Sequence, residues 1–216
     1  MIAGGASRRM GFDKARASVD GWPMAPSVAE ALRAVCRRVS LVRRGPPDGY
    51  PWRWRDGTAI EVVREADQGS RHPLVGVATA LAHASSPWVL VAPCDGLGLE
   101  EVGLRALVEA APSVASEGDR LHPLIGVFPA SHAPRAAALA QAGQAARAFV
   151  EPFNRVALSA VRNVNRPEDG IDDVHALLEA WGPLAPDAQR RALRAEAYRR
   201  LEARGAWIPW APGEAP

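Results

Sequence analysis

The sequence predicts an α/β fold, a doubly wound and mostly parallel sheet with a central hairpin insertion. Three observations predict it. Short β-branched or apolar runs alternate with segments of helical spacing from Met1 to Trp181, the pattern of strands joined by helical crossovers. Pro87–Ala92 is an uninterrupted apolar run, as expected of a strand buried on both faces of a parallel sheet. A glycine-rich basic stretch, Ala3–Lys14, follows the first apolar residues, and right-handed crossovers bring such loops to one sheet edge.

Met1-Ile2-Ala3 supplies only a remnant of a first strand, where about five residues are usual; an in-frame apolar stretch upstream would restore it. Val28, Ala31, Leu32, Val35 and Val39 have helical spacing, and Ser40-Leu41-Val42 reads as a short strand. Gly45 to Gly57, rich in proline and glycine, is a loop whose Trp52 and Trp54 either cap the core or stay exposed. Ala59–Val63 is β-branched and reads as a strand. Pro73–Leu81 begins with proline, which suits a first helical turn, and continues with small residues suited to close packing.

After the Pro87–Ala92 strand, Leu99 to Ala111 is helical. Pro112 to Ala130 forms two strands around Glu117-Gly118-Asp119, and His132 to Val150 is helical with a break at Gly143. Arg155 to Val161 is the last strand, and Ile171 to Trp181 a helix. From Pro183 the composition shifts to an arginine-rich amphipathic helix, Asp187 to Arg204, and an irregular tail.

With 216 residues, 48% hydrophobic and 23% charged, the chain reads as globular. A formal charge of +2 announces no nucleic-acid partner. Two cysteines are too few for a disulfide framework and suit a cytoplasmic protein. No apolar run approaches the roughly 20 residues that span a bilayer, so no membrane association is expected. The five histidines are scattered, without metal-site spacing.

The chemistry concentrates in the N-terminal loop. Glycine lets backbone N–H groups approach an anion, and Arg8, Arg9 and Lys14 add positive charge. Lys14 is the only lysine among 26 basic residues, a compact ammonium where arginine serves everywhere else. Together they describe a phosphate cradle; the alternative is a flexible leader in an arginine-biased chain. Asp95, just after the carboxyl end of an apolar strand, stands where open α/β sheets bind ligands. It can ligate Mg²⁺ or cap the helix near Leu99. Asn165, with Asn163 as the alternative, can complete a metal site through its amide oxygen, or both can serve the turn before Pro167. Cys94 reads as a small buried residue rather than a nucleophile. His72 and His122, each preceding Pro-Leu, lie in no recognisable nucleophile setting.

Gly4-Gly5-Ala6-Ser7-Arg8-Arg9-Met10-Gly11-Phe12-Asp13-Lys14 resembles the glycine-rich signature of molybdenum cofactor guanylyltransferases, nucleotidyltransferases of Rossmann-like, GT-A type. The resemblance continues in order through Pro73-Leu74-Val75-Gly76, Pro93-Cys94-Asp95, His122-Pro123-Leu124 and Asn163–Asp169, covering about residues 1 to 181. It implies transfer of GMP from GTP to molybdopterin with loss of pyrophosphate. It further implies that Ala3, Gly4, Gly5, Ser7 and Arg8 hold the nucleotide, while Arg9 and Lys14 neutralise developing charge. Asp95 and Asn165 would bind Mg²⁺, and Asn163 and Asn165 would line the acceptor side.

A base-contacting acid is expected before Pro73, with Asp67 preferred over Glu65. Arg43, His72 and Gly96-Leu97 depart from the family pattern, chiefly around the base, so CTP or another nucleotide stays open. The alternative is a weakly catalytic nucleotide- or cofactor-binding module that delivers molybdenum cofactor to a molybdoenzyme or carrier partner. Residues 1–182 are expected to form the nucleotidyltransferase domain and 183–216 a helix and tail that packs or meets a partner.

Overall fold

A computed structural model describes residues 1–3, 15, 18–19, 22–45, 52–65, 72–158 and 161–163. The chain opens with the segment Met1–Ala3, then β1 (Ser18–Val19), β2 (Trp22–Pro23) and α1 (Met24–Arg33). β3 (Ser40–Arg43), β4 (Glu61–Arg64), α2 (Pro73–His83), β5 (Trp88–Val91) and β6 (Gly96–Leu97) follow. α3 (Glu101–Glu109), β7 (Ser113–Glu117), β8 (Arg120–Pro129), α4 (Ala133–Gln141), α5 (Ala146–Val150), β9 (Asn154–Ala157) and β10 (Arg162–Asn163) complete it.

Ile2 holds the sheet together. It bridges Val42 on one side and Pro93 on the other, both in parallel sense. Through it the parallel pair β3–β4 joins the four-stranded group β5-β8-β7-β9. The spatial order is β4, β3, Met1–Ala3, β5, β8, β7, β9. β8 is antiparallel to both neighbours and β9 is parallel to β7, so β8 is the one reversed strand among the described strands in this order. The hairpin expected as an insertion is therefore woven into the sheet, with β8 between β5 and β7.

Helices cover both faces. Leu32 and Val28 of α1 pack with Leu104 and Leu107 of α3 on one face. Leu74 and Leu81 of α2, Ala136 of α4 and Phe149 of α5 pack on the other. There Phe128 meets Phe149 edge-on, with ring centroids 5.2 Å apart, and Arg135 donates to the carbonyls of Phe149 and Ala148. Pro73 starts α2, and His72 caps it by accepting the Leu74 N–H at Nδ1, 3.2 Å away.

Several boundaries move for physical reasons. α1 starts at Met24 and ends at Arg33, so the expected helix to Val39 is corrected; Val35 and Val39 continue the apolar spacing because they rest on the same core after the helix stops. The strand expected at Ala59–Val63 lies at Glu61–Arg64, since Ile60 instead donates to the Trp52 carbonyl. Trp52 is buried.

β5 is not buried on both faces throughout. Val91 is buried, but Trp88 is 44% exposed. A cavity of about 590 Å³, lined by Met1, Cys36, Ser40, His83, Trp88 and Leu90 among others, lies at this amino end. The Met1 ammonium is held there, donating to the Ser40 carbonyl at 2.9 Å. Burial lowers its pKa from 8.0 to about 6. Among the described residues no helix is long and apolar enough to cross a membrane. The helices expected at 171–181 and 187–204, and the 182/183 boundary, lie outside them.

Candidate active site

The site is built at the carboxyl edge of the sheet, opposite the 590 Å³ cavity. Ile2 donates to Ala92 at 2.8 Å and Cys94 donates to Ile2 at 2.9 Å. These bonds lock Ala3, the residue that feeds the glycine loop, beside the segment that carries Asp95. On the other flank Ala3 donates to the Val42 carbonyl at 2.8 Å. Extended backbone on both sides fixes where the chain leaves the sheet, which no local sequence feature could do for a three-residue strand.

Asp95 is 9% exposed. A tight turn, with Gly96 donating to the Pro93 carbonyl at 3.1 Å, follows the strand. The chain then returns as β6, and Asn163 of β10 pairs with Gly96, Arg162 with Leu97, in antiparallel sense. The turn reading of Asn163 is thereby corrected: its backbone is in a strand pair one residue from Asp95. The capping reading of Asp95 also fails, because α3 begins at Glu101 with Glu100 at its N-cap and no side-chain cap bond. Cys94 is a buried core residue.

On the β3–β4 side, Arg43 is buried at the end of its strand. Its guanidinium lies 4.8 Å from the Trp52 ring centroid, and Nη1 donates to the Ala3 carbonyl at 3.4 Å. Sequence reasoning marked Arg43 only as a departure; Trp52, in a loop without periodicity, gave no sign of stacking on it. Glu65 is buried against Gly76 and pairs with Arg44 at 3.1 Å. Burial pushes its carboxyl pKa up, and Arg44 opposes that shift.

Ala3, Asp95 and Asn163 are thus placed on one edge. Gly4, Gly5, Ser7, Arg8, Arg9, Lys14, Asp67 and Asn165 lie outside the described residues. No group of three His, Cys, Asp or Glu side chains that could hold a metal occurs among the described residues. One hard carboxylate, with waters and substrate phosphates as the remaining ligands, is nonetheless a pattern that Mg²⁺ accepts. Asp95 fits that role in chemistry and position.

Residues 1–160 match the family model described as the MobA-like NTP transferase domain. The chain is 32% identical over 187 residues to the molybdenum cofactor guanylyltransferase of Cereibacter sphaeroides, covering 78% of this chain and 91% of that one. It is 31% identical over 166 residues to that of Pseudomonas syringae pv. syringae, covering 73% and 80%. Among solved structures, molybdopterin-guanine dinucleotide biosynthesis protein A from Archaeoglobus fulgidus superposes with a TM-score of 0.55 at 17% identity, over 78% of this chain and 92% of that one. That last likeness is one of fold.

Proposed function

The chain belongs to the MobA-like NTP transferase family, and from that premise we propose that it transfers GMP from GTP to a molybdopterin-type acceptor. A phosphate oxygen of the acceptor attacks the α-phosphorus, the bond to the β-phosphate breaks, and pyrophosphate leaves. The observation that carries this reading is the direct backbone pairing of Ile2 with Cys94. It sets the entrance to the glycine loop beside Asp95 at the carboxyl edge. The names of the relatives supply the base and the acceptor.

Such a transfer needs little covalent help; positioning and charge neutralisation do most of the work. In this reading Gly4 and Gly5 turn backbone N–H groups toward the phosphates, with Ala3, Ser7 and Arg8 completing the cradle. Arg9 and Lys14 take up negative charge as pyrophosphate departs. Asp95 and Asn165 would hold Mg²⁺. When Mg²⁺ is bound, phosphate charge is further offset at that point. Asn163 and Asn165 would line the acceptor side, and Asp67 would contact the base.

The test is incubation of the protein with each of the four radiolabelled nucleoside triphosphates, Mg²⁺ and molybdopterin. Pyrophosphate release with GTP above the other three is expected. Release with CTP instead reassigns the base. No release with any nucleotide, beside retained molybdopterin binding, sinks the transferase reading in favour of a cofactor-delivery module.

A further inference from the structure

Glu117 and His122 form a pair that the transfer reaction leaves without a role. β7 is antiparallel to β8, which is antiparallel to β5, so Glu117 ends β7 on the same sheet edge as Asp95. His122 sits across from Ala115 on the returning strand. It is 6% exposed, and its Nε2 has no hydrogen-bond partner among the described residues. The opposite charge beside it among the described residues is Glu117 Oε2 at 3.7 Å, too far for a hydrogen bond.

Burial, and after it the nearby Arg120, push the imidazole pKa down, against the pull of Glu117. The ring is therefore neutral near neutral pH, with one N–H to place. A buried ring nitrogen left unpaired costs free energy. Here it backs a carboxylate that is half exposed. Drawing that carboxylate inward by a fraction of an ångström would complete the bond.

The sheet order places this pair. The glycine loop leaves from Ala3, β5 with Asp95 comes next, and β8 and β7 lie beyond it. Glu117 is thus three strand spacings, about 14 Å, from Ala3 across the sheet, with β5 and its Asp95 between. A ligand with its phosphate near Asp95 reaches the hairpin when its far end points away from Ala3 along this edge.

We propose that Glu117, positioned by His122, binds the heterocycle of the acceptor. Its two oxygens accept adjacent N–H donors of a 2-amino-4-oxopyrimidine edge, the edge a pterin presents. Paired donors on a carboxylate give bidentate geometry and charge-assisted strength. The inference rests on the molybdopterin-type acceptor assigned above.

Fluorescent 6-hydroxymethylpterin titrated into the full chain tests it without requiring turnover. The unmodified chain quenches the fluorescence, and Glu117→Gln weakens binding at least tenfold. His122→Leu weakens it at least threefold, while His122→Gln, which keeps an N–H donor, stays within twofold. GTP affinity stays the same in all three. Equal pterin affinity in Glu117→Gln, or no pterin binding by the unmodified chain, overturns the proposal. If His122→Leu fails to fold, the solvent-facing Glu117→Gln substitution decides alone. Pterin binding that is lost with Glu117→Gln in a protein unable to transfer GMP supports this contact and counts only against the transferase reading.

Discussion

The amide of Cys94 donates to the carbonyl of Ile2 at 2.9 Å, and with the bond from Ile2 to Ala92 it ties Ala3 to the Asp95 turn. A shift of Ile2 carries Ala3 with it on one side and disturbs the Cys94–Asp95 turn on the other. Ile2 is in turn held from α2, where a Cβ on Gly76 would meet its Cγ2 at 2.7 Å and the Glu65 carboxylate at 2.9 Å.

Gly76→Ala therefore destabilises the fold. Overpacking of this kind costs about 1 to 3 kcal/mol. A lower thermal midpoint is expected, with a loss of nucleotide affinity larger than that of a control such as Ala137→Gly. An unchanged midpoint would mean that α2 gives way without moving Ile2.

His72 presents a simpler case. Its Nδ1 accepts the Leu74 N–H, satisfying one of the donors left over at a helix start. His72→Ala should cost about 1 kcal/mol in denaturant unfolding, and His72→Asn should recover most of it. Equal midpoints for the histidine and alanine forms would remove the cap as the reason for histidine there.

The buried α-amine of Met1 makes stability depend on pH. Its pKa falls from 8.0 unfolded to about 6 folded, so between these values the unfolded chain binds the extra proton. Stability is complete above pH 8 and is lost as pH falls toward 6, by about 2 to 3 kcal/mol. Urea unfolding across that range measures the slope, and α-acetylation should abolish this component. A flat profile contradicts the burial of a titrating amine beside Ser40.

Much of this architecture was readable. Ser40–Val42, Pro73–Leu81 and the strands around Gly118 have periodicity or turn residues that act over a few positions, and the structure keeps them. What was not readable depends on partners distant in sequence. Nothing local shows that Asn163 pairs with Gly96, that Arg43 lies over Trp52, or that Trp88 is exposed. The approach of Glu117 to His122 is hidden for the same reason: a register across a hairpin, with a shift between Val114 and Ala115, sets their distance. Asp95 stands out in the sequence because a carboxylate just after an apolar strand is a positional signal in itself.

The central claim is that Asp95 serves nucleotidyl transfer beside the glycine loop. It is tested most directly by pyrophosphate release from GTP, with Mg²⁺ and molybdopterin, by the unmodified chain and Asp95→Asn side by side at matched folded fraction. The account predicts release by the unmodified chain and a loss of about 100-fold or more in the variant, with the thermal midpoint little changed. Full activity in Asp95→Asn would contradict it.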